Sequence, residues 1–360
     1  MRFPEFTEPW EKCKISDFGE IVTGNTPPTK FADFYDGGNR LWVSPADLGS
    51  EKYVRQTQTK LSEIGFNKTR KLPTGSVLIT CIGSTIGKMG MASEELSTNQ
   101  QINSIIVNDN FDNNYVYYAV LSQFPKYIPT IAVQAVPIIS KSTFSELPNH
   151  QTSIREQKKI GEFLDLLDRR IAVQSKLIEQ LESLIKGIIH HLTAESPNVR
   201  IADCLDCHSS TLQENQLKEL GKCRVYGANG VCGYTDSPAI NGNAILIVKD
   251  GSGIGNVSFA TGEYSVIGTS NYLTAKSGYN LRYIYYCLMN FNFAPYKTGM
   301  AIPHIYFKDY GKAKIYCPAV EEQERIANIL SRIERKMAIE QSITDHYNEQ
   351  KQYLVQQMFI

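Results

Sequence analysis

No apolar run in this chain approaches the roughly 20 residues that a membrane-spanning helix requires. The opening Met1-Arg2-Phe3-Pro4-Glu5-Phe6 has no apolar core ahead of a small-residue cleavage site, so nothing reads as a secretory signal. The expected location is cytoplasmic. An excess of one charge is also missing, with 37 Lys+Arg against 37 Asp+Glu, so net charge alone does not point to nucleic acid. Residues 196–318 carry 11 basic and 8 acidic side chains, and residues 1–153 carry 14 and 15. The eight cysteines, in a chain expected in the cytosol, read as free thiols rather than disulfides.

Catalytic signatures are absent as well. There is no G-x-S-x-G, no H-E-x-x-H, and no G-x-G-x-x-G between strand and helix. The Asn/Asp-Pro-Pro-aromatic motif of amino-methyltransferases and the Pro-Asp…Asp/Glu-x-Lys nuclease motif are missing too. Gly83-Ser84-Thr85-Ile86-Gly87-Lys88 imitates a phosphate loop but fails the Walker A pattern, whose first Gly would fall on Ile82 and whose Ser/Thr would fall on Met89. A strand-connecting turn is the reading, with N–H groups that could touch a DNA phosphate. Cys204-Leu205-Asp206-Cys207-His208 resembles a haem or zinc motif. Its cysteines fall, at the repeat offset below, on Phe18 and Ile21, which favours buried thiols on one apolar helix face. No metal is expected, and the sequence around His190-His191 offers no ligand pattern that would make the pair a metal site.

What the sequence does contain is a duplication. Glu156-Gln157 returns 166 residues later as Glu322-Gln323, and Ile160, Leu164, Leu167 and Ile171 return as Ile326, Leu330, Ile333 and Met337. In the first copy the ladder continues through Gln174, Ile178, Leu181, Ile185, Ile188 and Leu192. Steps of four and three make a heptad seam on a long helix. Ser153-x-x-Glu156 reads as a capping box at its start, Ser196-Pro197 as a stop beyond it. The preceding segments match too. The turn at Gly83 lies 168 residues before Gly251-Ser252-Gly253-Ile254-Gly255-Asn256, and Tyr115-x-Tyr117-Tyr118 lies 168 before Tyr283-x-Tyr285-Tyr286. Ala135-Val136-Pro137 answers Ala301-Ile302-Pro303 at 166, and Lys14-Ile15-Ser16-Asp17 answers Arg200-Ile201-Ala202-Asp203 at 186. The first copy therefore carries about 18 extra residues between Val22 and Gly83. The tyrosines, at helical spacing in both copies, read as packing residues rather than platforms for stacked bases.

The expected architecture is α+β: globular unit, long helix, globular unit, long helix, a pseudo-twofold tandem repeat whose two long helices pair as an antiparallel coiled coil. Ser76–Thr80 and Ala244–Val248, apolar runs bounded by Gly, predict buried strands. Asn113 to Ser122 and Leu281 to Asn290 predict one helix each. From Ile160 to Leu192 a helix at ~1.5 Å per residue is roughly 50 Å long, equal to about 14 or 15 base pairs at ~3.4 Å each. Such a rod suits a ruler for a two-part DNA site.

Taken in order, the residues resemble one family. Arg2-Phe3-Pro4-Glu5-Phe6-Thr7-Glu8-Pro9-Trp10-Glu11, Leu41-Trp42-Val43-Ser44-Pro45-Ala46-Asp47-Leu48, Tyr226-Gly227-Ala228-Asn229-Gly230-Val231-x-Gly233-Tyr234 and both Glu-Gln-x-x-Ile helix openings are similar to the DNA-specificity (S) subunits of type I restriction-modification systems. The resemblance covers essentially the whole chain. It implies target recognition domains at 1–153 and 195–319, a central conserved helix at 154–194 and a C-terminal conserved helix at 320–360. It implies a non-catalytic DNA-binding protein reading a bipartite double-stranded DNA target, with each recognition domain reading one half. The helices would dock two methyltransferase (modification) subunits holding S-adenosylmethionine, and restriction/translocase subunits would use ATP and Mg. This chain would bind no cofactor. The alternatives are the specificity subunit of a related system whose partner fuses methyltransferase and nuclease, an enzyme of unfamiliar sequence, and a DNA-independent coiled-coil scaffold.

The residues expected at DNA are Thr23, Asn25, Thr26 and Lys30 in one loop, Gln134, Ser140 and Lys141 in another, and the matching His304, Tyr306 and Lys308. Helix pairing and subunit docking are expected from Ile160, Leu164, Leu167, Ile171, Ile326, Leu330, Ile333 and Met337. The second helix departs from the first at its seam. Glu340, Thr344 and Lys351 stand opposite Gln174, Ile178 and Ile185, which predicts imperfect pairing or cover from a partner.

Overall fold

The computed structural model describes residues 1–131, 137–251, 253–299 and 303–359. Gln134, the pair Ala135-Val136, Ser252 and the pair Ala301-Ile302 lie outside them. The chain forms two compact units, Met1–Lys176 with Gln341–Ile360, and Leu177–Glu340.

In the first unit a five-stranded sheet runs in the order Gly19–Thr23, Ile102–Val107, Val77–Thr80, Met89–Ala92, Tyr53–Val54. A four-stranded sheet runs Thr59–Leu61, Arg40–Val43, Leu96–Thr98, Lys71–Leu72. The second unit repeats both. One sheet runs Leu205–Ser209, Ser270–Ala275, Ala244–Val248, Val257–Ala260, and the other runs Gly230–Thr235, Cys223–Gly227, Glu263–Val266, Ile240–Asn241. A parallel pairing recurs inside the second sheet of each unit, Trp42 with Ser97 and Val225 with Ser265. The fifth strand of the first unit, Tyr53–Val54, has no counterpart and comes from the extra residues of the first copy.

The central strands are apolar throughout because both of their faces are covered. Val77 and Ile79 point into a core shared with Tyr115, Val116 and Tyr118, while Leu78 points into a core with Leu41, Val43 and Leu96. Ile245 and Ile247 likewise join Tyr283, Ile284 and Tyr286, while Leu246 joins Tyr264 and Val266. Each unit is thus a helix layer on a sheet on a second sheet. The tyrosines of both helical clusters are buried, as packing residues are.

The first of these helices spans Asn113–Ile131 and contains Pro125 and Pro129; the second is Leu281–Met289. The first therefore runs nine residues beyond Ser122. Proline inside a helix costs a hydrogen bond and clashes with the preceding turn. Here Phe124 and Tyr127 are buried in the core, and the Tyr127 hydroxyl donates to the Pro148 carbonyl. Tertiary packing overrides the local signal.

The long helices are Ile154–Ala194 and Val320–Met358. Within the first unit, Ile160 and Leu164 near the start of one share a core with Leu354, Val355 and Met358 at the end of the other. Within the second, Ile185 and Ile189 share a core with Ile326, Ala327 and Leu330. The pairing is antiparallel. The polar seam positions are accommodated inside the chain. Glu340 and Thr344 are buried, Glu340 pairs with Lys336, and Lys351 pairs with Asp168.

Each helix start is fixed by its glutamine. Gln157 donates to the Thr152 carbonyl (2.7 Å) and accepts from the Asp112 N–H (3.1 Å). Gln323 does the same with the Pro318 carbonyl (2.8 Å) and the Asn280 N–H (2.9 Å). The capping box is only half made. Ser153 accepts from the Glu156 N–H at 3.4 Å, but the Glu156 carboxylate turns to the Arg2 guanidinium, with both oxygens at 2.7 Å.

Cys204 and Cys207 do not share a helix face. Phe18 closes a short turn of 3-10 helix and Ile21 lies in a strand, as do Cys204, closing a short helix, and Cys207 after it. Cys204 is buried and donates to the Arg200 carbonyl at 3.3 Å. A hydrogen bond with Cys317, together with burial, pushes its thiol well above the ordinary range. No cluster able to hold a metal occurs among the described residues.

Candidate nucleic-acid interface

One edge of the first unit collects most of the residues singled out from sequence. Thr23 ends its strand and donates from Oγ1 to Asn103 Oδ1 at 2.7 Å. The chain then turns through Gly24, whose N–H donates to the Ile102 carbonyl and where any Cβ would stand 2.2 Å from the Asn99 carbonyl oxygen. Only glycine permits that approach. Asn25 is held on both ends of its amide. It donates to the Lys68 carbonyl (2.9 Å), accepts from the Arg70 N–H (2.8 Å), and its own carbonyl accepts from the Trp42 indole (3.1 Å). Thr26 is exposed and bonds Gln100.

The same strip continues into the glycine turn. The Cys81 N–H donates to the Gln101 carbonyl, the Gly83 N–H to the Pro137 carbonyl, and the Ile139 N–H to the Cys81 carbonyl. Gly83 and Gly87 have φ of 90° and 89°, a conformation that favours glycine, so the turn is structural as expected. Ser140 follows as the cap of the short helix Lys141–Glu146, accepting from the Thr143 N–H at 3.1 Å.

The second unit builds the same edge. Ser209 donates to Asn271 Oδ1 at 2.9 Å, repeating the Thr23–Asn103 contact. The Lys249 N–H donates to the Thr269 carbonyl, the Gly251 N–H to the Pro303 carbonyl and the Ile305 N–H to the Lys249 carbonyl. His304, Tyr306 and Lys308 stand together here. The rings of His304 and Tyr306 stack at 6.3 Å, and the Lys308 ammonium lies 5.2 Å from the centre of the Tyr306 ring. His304 Nδ1 lies 2.7 Å from Asp250 Oδ1.

Lys30, Lys68, Arg70 and Lys141 in the first unit, and Lys297 and Lys308 in the second, are exposed. Among the described residues none of these six is paired with a carboxylate. Free cations beside loops rich in amide and hydroxyl groups can serve phosphates and base edges respectively. A chain of zero net charge can thus still present basic edges. Sequence reasoning missed Arg70, Gln100 and Asp250. Arg70 donates to the Thr23 carbonyl at 2.6 Å across 47 residues of sequence, and no local pattern announces such a contact.

Of the eight helix residues expected to pair and dock, Ile160, Leu164, Ile326 and Leu330 are buried and Leu167, Ile171, Ile333 and Met337 are half-buried. The exposed apolar side chains of the same helices are others, among them Leu166, Val173, Leu184, Ile329 and Ile339.

Comparison with known proteins agrees with this layout. Over 181 residues the chain is 30% identical to the MjaIX specificity subunit of Methanocaldococcus jannaschii, covering 49% of this chain and 41% of that protein. It is 28% identical to the HindI specificity subunit of Haemophilus influenzae, covering 49% and 40%. The chain thus spans about two-fifths of the length of these two relatives. A third, the EcoprrI specificity subunit of Escherichia coli, is 20% identical across 90% of this chain and 87% of its own length. The fold matches the S subunit of a type I restriction-modification system from M. genitalium, with TM-score 0.71, 18% identity and coverage of 98% and 96%. It also matches a chain from a structural study of complex assembly and conformational transition of the type I R-M system, with TM-score 0.52, 14% identity and coverage of 97% and 98%. The model of the type I restriction modification DNA specificity domain matches twice, at residues 7–183 and 197–346, and the chain belongs to that family.

Proposed function

We propose that this chain reads a bipartite double-stranded DNA target, one half with each globular unit, and assembles the subunits that act on it. It is a type I specificity subunit, a non-catalytic component. The observation that carries the bipartite reading is the duplicated edge. Thr23–Asn103 and Ser209–Asn271 occupy the same place in two units of the same topology. A protein that presents one reading edge twice is suited to a target in two parts. Two methyltransferase subunits holding S-adenosylmethionine would flip an adenine in each half, and translocase subunits using ATP and Mg would cut. Exposed Leu166, Val173 and Leu184 offer apolar surface for such partners.

With few free cations on either edge, the lone chain binds DNA weakly and the assembled complex binds tightly. Titrating labelled duplex with each, at physiological salt, tests this; nanomolar site-specific binding by the lone chain would contradict it. Binding of S-adenosylmethionine by the lone chain would favour an enzyme instead. Removing one heptad from both long helices, about 10 Å of rise, changes the spacer and leaves both half-sites as they were.

A further inference from the structure

Both units close their edge with the same isolated antiparallel bridge, but different chemistry stands on it. In the first unit the bridge joins Ile82 to Ile138, and in the second it joins Asp250 to His304. The pairs correspond, since Gly83 to Pro137 and Gly251 to Pro303 make the adjacent hydrogen bond in each. These side chains are not in a core. Ile138 is 50% exposed, and the side chains of His304 and Asp250 are 34% and 30% exposed. The scaffold is retained while its exposed chemistry changes from apolar to hydrogen-bonding.

We propose that this bridge is a base-reading position, with Ile82 and Ile138 reading a thymine methyl in one half-site and His304 reading an amino-bearing base in the other. The proposal rests on the DNA-reading assignment above. In the major groove thymine alone among the four bases presents a methyl group, and apolar side chains select it. The second pair is polarised by its geometry. A carboxylate can only accept, so the contact at 2.7 Å places the proton of a neutral His304 on Nδ1 and leaves Nε2 as a lone-pair acceptor. An acceptor at a base edge fits the N4 amine of cytosine or the N6 amine of adenine, and it opposes the O6 and N7 acceptors of guanine. Asp250 is then a positioning residue, setting the tautomer without touching the base.

The test uses the full chain assembled with its methyltransferase subunits on a randomised duplex library, with methylated adenines read by sequencing. Wild type gives a two-part motif. H304A loses roughly tenfold discrimination at one cytosine- or adenine-specifying position of one half-site. I138A does so at one thymine-specifying position of the other half-site. H304Q keeps the volume and a donor–acceptor head, so it serves should H304A fail to fold, and it changes the base preferred at that position. D250L, which frees the tautomer, admits guanine there. Variants that give the wild-type motif with unchanged discrimination, or lose activity evenly at every position, overturn the base-reading assignment. A wild-type complex that methylates without any motif overturns the specificity reading itself.

Discussion

The two units neutralise the same half-buried carboxylate position with different cations. In the first, Tyr118 donates to Asp168 and Lys351 pairs with it, while the Lys52 ammonium bonds Asp165 and Asn114, each at 2.7 Å. In the second, Tyr286 donates to Glu334 at 2.8 Å, the repeat of Tyr118 on Asp168, but the cation is Arg282. Arg282 stands at the repeat position of Asn114 and comes from the helix itself, whereas Lys52 comes from the extra residues of the first copy. Lys52 is 5% exposed, and the Arg282 side chain is 30% exposed. A duplicated fold has conserved the electrostatic requirement and not the residue that meets it. The first unit meets it with Lys351 and adds a drier pair beside it, Lys52 with Asp165, where the second unit has Ser331.

That difference sets unequal costs for breaking the two networks. Lys52→Met leaves the buried Asp165 with only the exposed Arg169 as its cation and destabilises the first unit by about 3 kcal/mol. Both tryptophans, Trp10 and Trp42, lie in that unit, so tryptophan fluorescence in a urea titration reads it alone. Arg282→Met removes a charge-assisted contact from a half-exposed site and costs roughly 2 kcal/mol, read by hydrogen exchange in the strand Ala244–Val248. Equal losses would break the comparison. The glutamine latches, by contrast, are alike in the two units. Gln157→Ala and Gln323→Ala each strand one N–H and one carbonyl, at about 1–2 kcal/mol apiece, by the same two readouts.

Acid separates the units further. Burial pushes the Asp165 carboxyl up, but hydrogen bonds from Lys52 and Tyr53 outweigh it and hold it below the usual carboxylate range. Glu156 is held low in the same way, against its burial, by Arg2 and Thr152. A carboxyl lowered in the folded state contributes stability that is present above its unfolded value near ~4 and lost as pH falls through the folded value. The tryptophan-monitored midpoint therefore drops as pH falls below about 4, and Lys52→Met shows a smaller drop. The smallest effects belong to the edges. Lys141→Ala and Lys308→Ala leave both unfolding midpoints unchanged and reduce the salt slope of DNA binding by the complex by about 1 each.

Much of this architecture was legible because repeats and periodicity are local signals. The heptad ladder, the buried strands and the pairing of the long helices all follow from residue spacing. The extension of the first sheet-covering helix to Ile131 did not, because Pro125 and Pro129 signal a break that the burial of Phe124 and Tyr127 overrides. The capping role of Glu156 was displaced by Arg2, 154 residues away. At the edges, polar loop chemistry singled out Thr23, Asn25 and Ser140 and the repeat offset singled out His304, but Arg70 and Asp250 reach the same places through tertiary contacts that leave no pattern in the chain. Asp250 in particular becomes meaningful only once its partner on the bridge is seen to be His304.

The central claim is that one chain carries two reading edges for one divided target. Its most direct test is a genome-wide map of methylated adenines in cells with and without this chain. The expected result is a single asymmetric motif in two blocks around an unread spacer, present only when the chain is. A continuous motif, or a map that does not depend on the chain, would contradict it.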